Sequence, residues 1–230
     1  MKLNICGIPV EVCRKDVKNM RLYVKPPDGK VTVNAPFLTG NEAIARFVSS
    51  KAGWIKSHIA NFQDHARNRS KRKYASGDTF YVWGKPYILQ TSFAKKKSLI
   101  LDGEKALLTV RRENTLVQRE KFIREWYRKL LKNEITQVLP KWEKKTGLKA
   151  ESWQVKYMTS RWGSCKIKER KICLSLLLAK KNPECLDYVI LHELVHFVEK
   201  GHNQRFKNLL GKYMPAWREV KRTLNSGAGR

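Results

Sequence analysis

The sequence predicts an α+β protein, a β-rich N-terminal part followed by a mainly helical part. Up to about residue 112, short runs alternate apolar and polar residues, the period of a half-buried strand. From about residue 115, apolar residues recur instead at three- and four-residue steps, the period of a helix. Turn signals at Asp28-Gly29, Gly84-Lys85-Pro86 and Asp102-Gly103 punctuate the first region. The expected division is therefore 1–112, a β-rich region with one helix, and 113–230, the helical domain.

Taken in order, "IPVEVCR", "MRLYVK" and "KVTVNAP" read as strands, with Asp28-Gly29 as a hairpin turn between the last two. "TGNEAIARFVSSKAGWIKSHIANFQDH" reads as one helix. Thr39 or Asn41 can cap it, Ile44, Phe47, Val48, Trp54, Ile55 and Ile59 form its apolar face, and Gly53 is a weak point. Residues 65–78 are polar and basic and read as a surface linker. "TFYVWGKPYILQ" and "SLILDGEKALLTV" supply four runs of a small antiparallel sheet.

A long helix follows, with Leu116, Phe122, Ile123, Trp126, Tyr127, Leu130, Leu131, Ile135 and Val138 at helical spacing, and is expected to stop near Pro140. "SWQVKYM" and "KICLSLLL" read as strands around the turn "SRWGSCKIKER". "NPECLDYVILHELVHFV" is a helix with Asn182 as cap and Pro183 in its first turn. A last helix runs from about Pro215 to Leu224, and the tail after it is expected to be loose. No internal repeat is evident.

Hydrophobic residues make up 42% of the 230, with seven Trp, eight Tyr and eight Phe, which excludes a disordered chain. The net charge of +28 draws anionic partners such as nucleic acid, nucleotides, acidic lipid or acidic protein, or else marks a merely basic, soluble surface. Five cysteines, an odd number without a C-x-x-C pair, suit free thiols in a reducing compartment. Glu11 interrupts the N-terminal apolar run, and no stretch approaches the length of a membrane span, so a cytoplasmic protein without membrane contact is expected.

The chemistry concentrates in "LHELVHFVEKGH", residues 191–202. His192 and His196 are four apart, and four residues turn a helix by roughly 400°, so both imidazoles leave one face, spaced to share a tetrahedral metal. Glu193 completes H-E-x-x-H, in which the carboxylate serves as general base toward water at the metal. Burying two imidazoles and a carboxylate in this apolar helix without partners would cost several kcal/mol, which a metal removes. Continued helix would carry His202 about 9 Å beyond His196. It can be the third ligand only if the chain leaves the helix and turns back, for which Gly201 is suited. Glu199 is the rival. Three protein ligands leave one position for water, the pattern of a catalytic site holding one zinc ion.

"RWGSC" (161–165), "DYVILHELVH" (187–196) and "GHNQRF" (201–206) together resemble the YgjP-like zinc metalloproteases, a group related to the SprT-like and M48 families. "VKNMRLYVKPPDGKVTVNAPF", "FVSSKAGWI" and "SGDTFYVWGKPYIL" extend the resemblance over nearly the whole chain. It implies that 113–230 is a zincin-like catalytic domain, that His192, His196 and His202 bind zinc, and that Glu193 is the general base. The histidine spacing also matches metzincins, but Glu199 stands where those have glycine, and Met214 is a weak counterpart of their Met-turn.

Gly163 signals a tight turn or a close backbone approach. Arg161 or Ser164 can face the metal and stabilise an oxyanion; equally, Arg161 can pair with a carboxylate while Trp162 fills the core. Tyr157 and Tyr213 are further donor candidates. Cys165, Cys173 and Cys185 read as buried thiols rather than ligands. "RNRSKRKY" (67–74) and "AKKKS" (94–98), with Tyr74, Trp83 and Phe93, can contact phosphates and bases, or be a solvated linker and a guarded sheet edge. The expected function is zinc-dependent hydrolysis of a peptide or protein. The alternatives are a nucleotide or phosphoester hydrolase, and a nucleic-acid-binding protein with a structural zinc.

Overall fold

In the computed structural model, which describes residues 1–25, 29–60 and 74–226, the alternating runs become strands as their period requires. The chain divides into two compact units, Met1–Arg72 and Lys73–Arg230. The first holds β1 (Lys2–Ile5), β2 (Ile8–Arg14), β3 (Arg21–Lys25) and β4 (Lys30–Ala35) in the order β1-β2-β4-β3. β2 and β4 are parallel and the outer pairs antiparallel. Val10, Val12, Val31 and Val33 cluster with Ile44, Val48 and Ile55 of two helical runs.

Those runs were expected as one helix. They are α1 (Asn41–Ser49) and α2 (residues 52–60), separated at Ser50-Lys51 rather than weakened at Gly53. The Ser50 hydroxyl donates to the Phe47 carbonyl, at 2.9 Å, in place of a continuing backbone ladder. Neither Thr39 nor Asn41 is the cap. Gly40 holds that position, because Arg14 draws the Thr39 carbonyl and the Asn41 side chain to its guanidinium at 2.6 and 3.0 Å.

The second unit begins with β5 (Thr79–Val82), β6 (Lys85–Phe93), β7 (Ser98–Asp102) and β8 (Lys105–Val110), in the order β5-β6-β8-β7. The sheet is mixed, not antiparallel as expected, because β8 lies parallel to β6. β8 buries Ala106, Leu108 and Val110 and takes a central place, whereas β7 buries only Leu99 and stays at the edge. Its connectivity matches that of the first sheet. The first hairpin of each turns on two residues with positive φ, Cys6-Gly7 (53° and 75°) and Trp83-Gly84 (49° and 80°), two residues before Pro9 or Pro86. The two sheets thus share a topology, although no repeat is evident in the sequence. The Asp28 half of the other expected turn and residues 65–73 of the expected linker lie outside the described residues, as does the tail beyond Ser226.

The long helix is α3 (Leu116–Thr146). Thr115 and Gln118 form a capping box at its start, and Gly147, at φ 72°, ends it. It passes through Pro140 instead of stopping there, and the turns around that residue bury Ile135, Val138, Leu139 and Trp142. That burial outweighs the lost backbone bond. β9 (Ser152–Lys156), β10 (Gly163–Lys166) and β11 (Lys171–Ser175) form a third sheet in the order β10-β11-β9. "SRWGSCKIKER", expected as a turn, therefore contributes a strand, with Gly163 paired to Leu174.

α4 (Pro183–Val195) begins as expected, with the Asn182 side chain accepting from the Glu184 backbone N–H and Pro183 in the first turn. Nine of its thirteen residues are buried. It packs against α3, β10 and β11, and against two shorter helices, α5 (Gln204–Tyr213) and α6 (Trp217–Asn225). α5 was not expected; only Phe206 and Leu210 on it are buried, too few to show a period. Among the described residues, no helix is long and apolar enough to cross a membrane.

The Trp142 indole N–H donates to the Asp187 carboxylate at 2.6 Å, which joins α3 to α4. Asp187→Ala leaves that buried donor unsatisfied, and urea unfolding should show a loss of about 1–3 kcal/mol. Asp187→Asn, which keeps an acceptor, should recover part of it.

Candidate metal centre

α4 has to carry polar side chains inside a largely apolar environment, and the surrounding elements meet each one. His192 and His196 leave one face of the helix, which ends at Val195 with His196 as its cap. The chain then tightens: the Phe197 and Val198 N–H groups reach the Leu194 and Val195 carbonyls at 2.9 and 3.1 Å. So the break that returns His202 comes at residues 196–198, three to five residues before Gly201. It is a tightened helix end, not a termination at Gly201 as expected, and Gly201 does not have a positive φ.

The return is close. His202 Nε2 lies 3.0 Å from His192 Nε2, which is 3.2 Å from His196 Nε2. A ring nitrogen carries one proton or one lone pair, so His192 Nε2 cannot hydrogen-bond well to both neighbours. A tetrahedral cation with bonds of 2.0–2.1 Å separates its ligand atoms by about 3.3 Å, near the spacing found here. The second ring nitrogens agree. His196 Nδ1 is 3.0 Å from the Glu199 carbonyl, which can only accept, so this nitrogen carries the proton and the neutral ring turns a lone pair inward on Nε2. His192 Nδ1 faces the Tyr188 hydroxyl at 3.4 Å. Burial, the neighbouring histidines and Lys221 lower the His192 pKa to about 3, so it stays neutral at pH 7. Burial, His196 and Lys221 lower that of His202 as well. These residues fit a divalent metal; no other group of three potential ligands occurs among the described residues.

Glu199, the rival ligand, turns elsewhere. One carboxylate oxygen accepts from the Asn203 amide at 3.1 Å, and the other lies 3.8 Å from Arg205. Phe206, 2% exposed, covers one side of the cluster, with its ring centroid 4.7–4.9 Å from all three imidazoles.

Glu193 points between α4 and β10 and is 4% exposed. Burial raises its pKa to about 7, against the opposing effects of a hydrogen bond from the Cys165 thiol and the charge of Arg161. Burial and the adjacent carboxylate push the Cys165 thiol up to about 11, so it stays protonated and can donate. Gly163 makes room for this carboxylate. A Cβ there would lie 2.5 Å from Glu193 Oε1 and 2.8 Å from Val189 Cγ1. The signal in "RWGSC" is therefore a close backbone approach, and it is an approach to Glu193. Arg161 is exposed, with its charge felt at Glu193.

The other candidates are placed elsewhere. Tyr157 stacks under Arg124 at 3.9 Å, and the Tyr213 hydroxyl donates to the Thr146 carbonyl at 3.5 Å. Lys95–Lys97 join β6 to β7, and Phe93 lies beneath Arg112 and Arg119.

Over residues 18–227 the sequence matches the YgjP-like metallopeptidase domain. The chain belongs to the YgjP-like family. It is accordingly a metallohydrolase of a metal-dependent peptidase family, with peptide or protein substrates. No curated protein matches the sequence significantly. Two solved structures are similar to the YgjP-like chain over 39% of its length. The metallopeptidase zymogen of Pyrococcus abyssi abylysin is 17% identical, with a TM-score of 0.37 and 90% of its chain covered. That of Methanocaldococcus jannaschii jannalysin is 24% identical, with a TM-score of 0.36 and 92% covered.

Four residues of this YgjP-like centre escaped the sequence reading. Tyr188 is four before His192 on the same helix, so helical spacing from the motif points to it; Phe206, on α5, carries no such signal because His202 lies outside the helices. The Cys165 contact and Lys221, on α6, have no signal in local sequence.

In metal-free protein Glu193 has a folded pKa near 7 and an ordinary unfolded one. The buried acid is undisturbed below the unfolded value, and stability is lost as pH rises through 7. Glu193→Gln should thus stabilise metal-free protein by about 1–3 kcal/mol at pH 8.5 and by much less at pH 4.5, read from urea midpoints. Gly163→Ala should destabilise by about 1–3 kcal/mol through overpacking, with the histidine cluster still able to take up metal.

Proposed function

We propose that the centre holds one zinc ion on His192, His196 and His202 and hydrolyses peptide bonds with Glu193 as general base. The observation that carries this reading is the convergence of three ring nitrogens at the end of a helix that also buries the Glu193 carboxylate. When bound, the metal would supply Lewis-acid polarisation of the scissile carbonyl and make water nucleophilic at neutral pH.

The remaining work falls to the chain's own groups. Glu193 takes a proton from the attacking water and returns it to the leaving amine. Its burial makes it a better proton acceptor than a solvated carboxylate. Gly163 and the Cys165 thiol fix where that carboxylate sits. Arg161 contributes positive charge beside it, which we assign to the negative charge that develops on the carbonyl oxygen. The Glu199 carbonyl and the Tyr188 hydroxyl orient two of the imidazoles, and Phe206 keeps water from one side.

Purified protein should contain one zinc per chain by elemental analysis, and a chelator should abolish cleavage of an unfolded protein substrate. Glu193→Ala should keep the zinc and lower kcat by about 10³-fold or more, whereas His202→Ala should lose zinc and activity together. Arg161→Ala should lower kcat by about 10–10²-fold with little change in KM. Full cleavage by Glu193→Ala, or by protein without stoichiometric metal, would sink the reading.

A further inference from the structure

α6 carries a feature that hydrolysis as such does not use. Its buried face, Trp217, Val220 and Leu224, packs inward. Arg218, Lys221, Arg222 and Asn225 then fall at i, i+3, i+4 and i+7 on one exposed face. They line a broad, open depression of about 690 Å³ together with Trp217 and Ser226. Among the described residues, the ion pair found on these three cations is that of Arg222 with Glu219, at 3.9 Å with both side chains well exposed; such a pair is weak.

The depression adjoins the metal centre. Trp217 stacks parallel to Tyr188 at 6.5 Å, and the Tyr188 hydroxyl faces His192 at 3.4 Å. At the other end, Asn225 accepts from the Trp162 indole at 3.2 Å, next to Arg161. A cationic wall thus runs from Trp217, which stacks on Tyr188, to Asn225, which is bonded to Trp162.

We propose that this depression is a substrate subsite that selects acidic polypeptide segments, holding Asp or Glu side chains near the scissile bond on Arg218, Lys221 and Arg222. The assignment rests on the metallopeptidase reading, because it makes the occupant the chain that is cut. Charge complementarity gives the sign of the occupant. Spacing gives its form: neighbours on a helix face stand about 5–6 Å apart, and same-side residues of an extended peptide about 6.6 Å. Single-stranded nucleic acid also offers charges at such intervals, but it is held by stacking its bases on open aromatic faces. Trp217 offers none. It is 7% exposed, with Tyr188 stacked on it and Arg218 4.7 Å from its ring centroid.

The test measures fluorescence anisotropy of full-length Glu193→Gln protein with labelled peptides of equal length, acidic, neutral or basic, and with a labelled oligothymidylate. The acidic peptide should bind about tenfold or more tightly than the neutral one at low salt. Arg218→Ser/Arg222→Ser should remove most of that difference. Lys129→Ser/Lys132→Ser on α3, which subtracts the same charge elsewhere, should change it less than twofold. The proposal is overturned if the α3 pair lowers binding as much as the α6 pair. It is also overturned if peptide charge does not matter, or if the oligonucleotide binds more tightly and its binding is what the α6 pair removes. Cleavage of the same peptides by wild-type protein separates the two readings. Cleavage indifferent to charge refutes the subsite and leaves the peptidase standing. Charge-selective binding without cleavage supports an acidic-peptide site and refutes the peptidase.

Discussion

The organising constraint is a helix buried on nine of its thirteen residues that must also present two imidazoles and a carboxylate. Left unpartnered, those groups would cost several kcal/mol, a sizeable share of a domain's net stability. Each neighbouring element answers one of them. β10 brings a residue without a side chain against Glu193, and the Cys165 thiol two positions later helps hold the pKa of that carboxylate down. The turn after Val195 offers a carbonyl to His196, and α5 lays Phe206 across the cluster. α3 is fastened to α4 through Trp142 and Asp187, so the helix is held in position along its length.

Much of this was legible because it is local. H-E-x-x-H states its own geometry once a helix is granted, and the Asn182-Pro183 start needs only the nearest residues. Elements with strong periods, such as β2, β4, β8 and most of α3, could be read directly. What failed depended on tertiary contacts. Pro140 ends a helix by local rules, yet the apolar residues around it keep α3 intact. α5 buries two residues and has no readable stripe. β10 looked like a turn because its sequence is small and polar; its strand geometry comes from pairing with β11. The role of Gly163 follows the same logic, since a close approach can be suspected from sequence but the partner cannot be named.

The two four-stranded sheets teach a related lesson. Both run hairpin, parallel neighbour, hairpin, and both first hairpins turn on a left-handed residue followed by glycine. Little sequence is shared beyond the turn and the proline after it, since strand positions need only be apolar on alternate sides. Residues at the turns, where φ is positive, are constrained more tightly and so preserve the pattern.

His202 reaches the cluster on the segment that leads from α4 into α5, whereas His192 lies within α4 and His196 caps it. An ion held by all three would act as a clasp across that segment, converting coordination energy into order at the helix junction. Occupancy and local folding would then be one equilibrium seen from two sides. A loosely held junction would lower affinity without any ligand being altered, and a substitution on α5 could mimic the loss of a histidine.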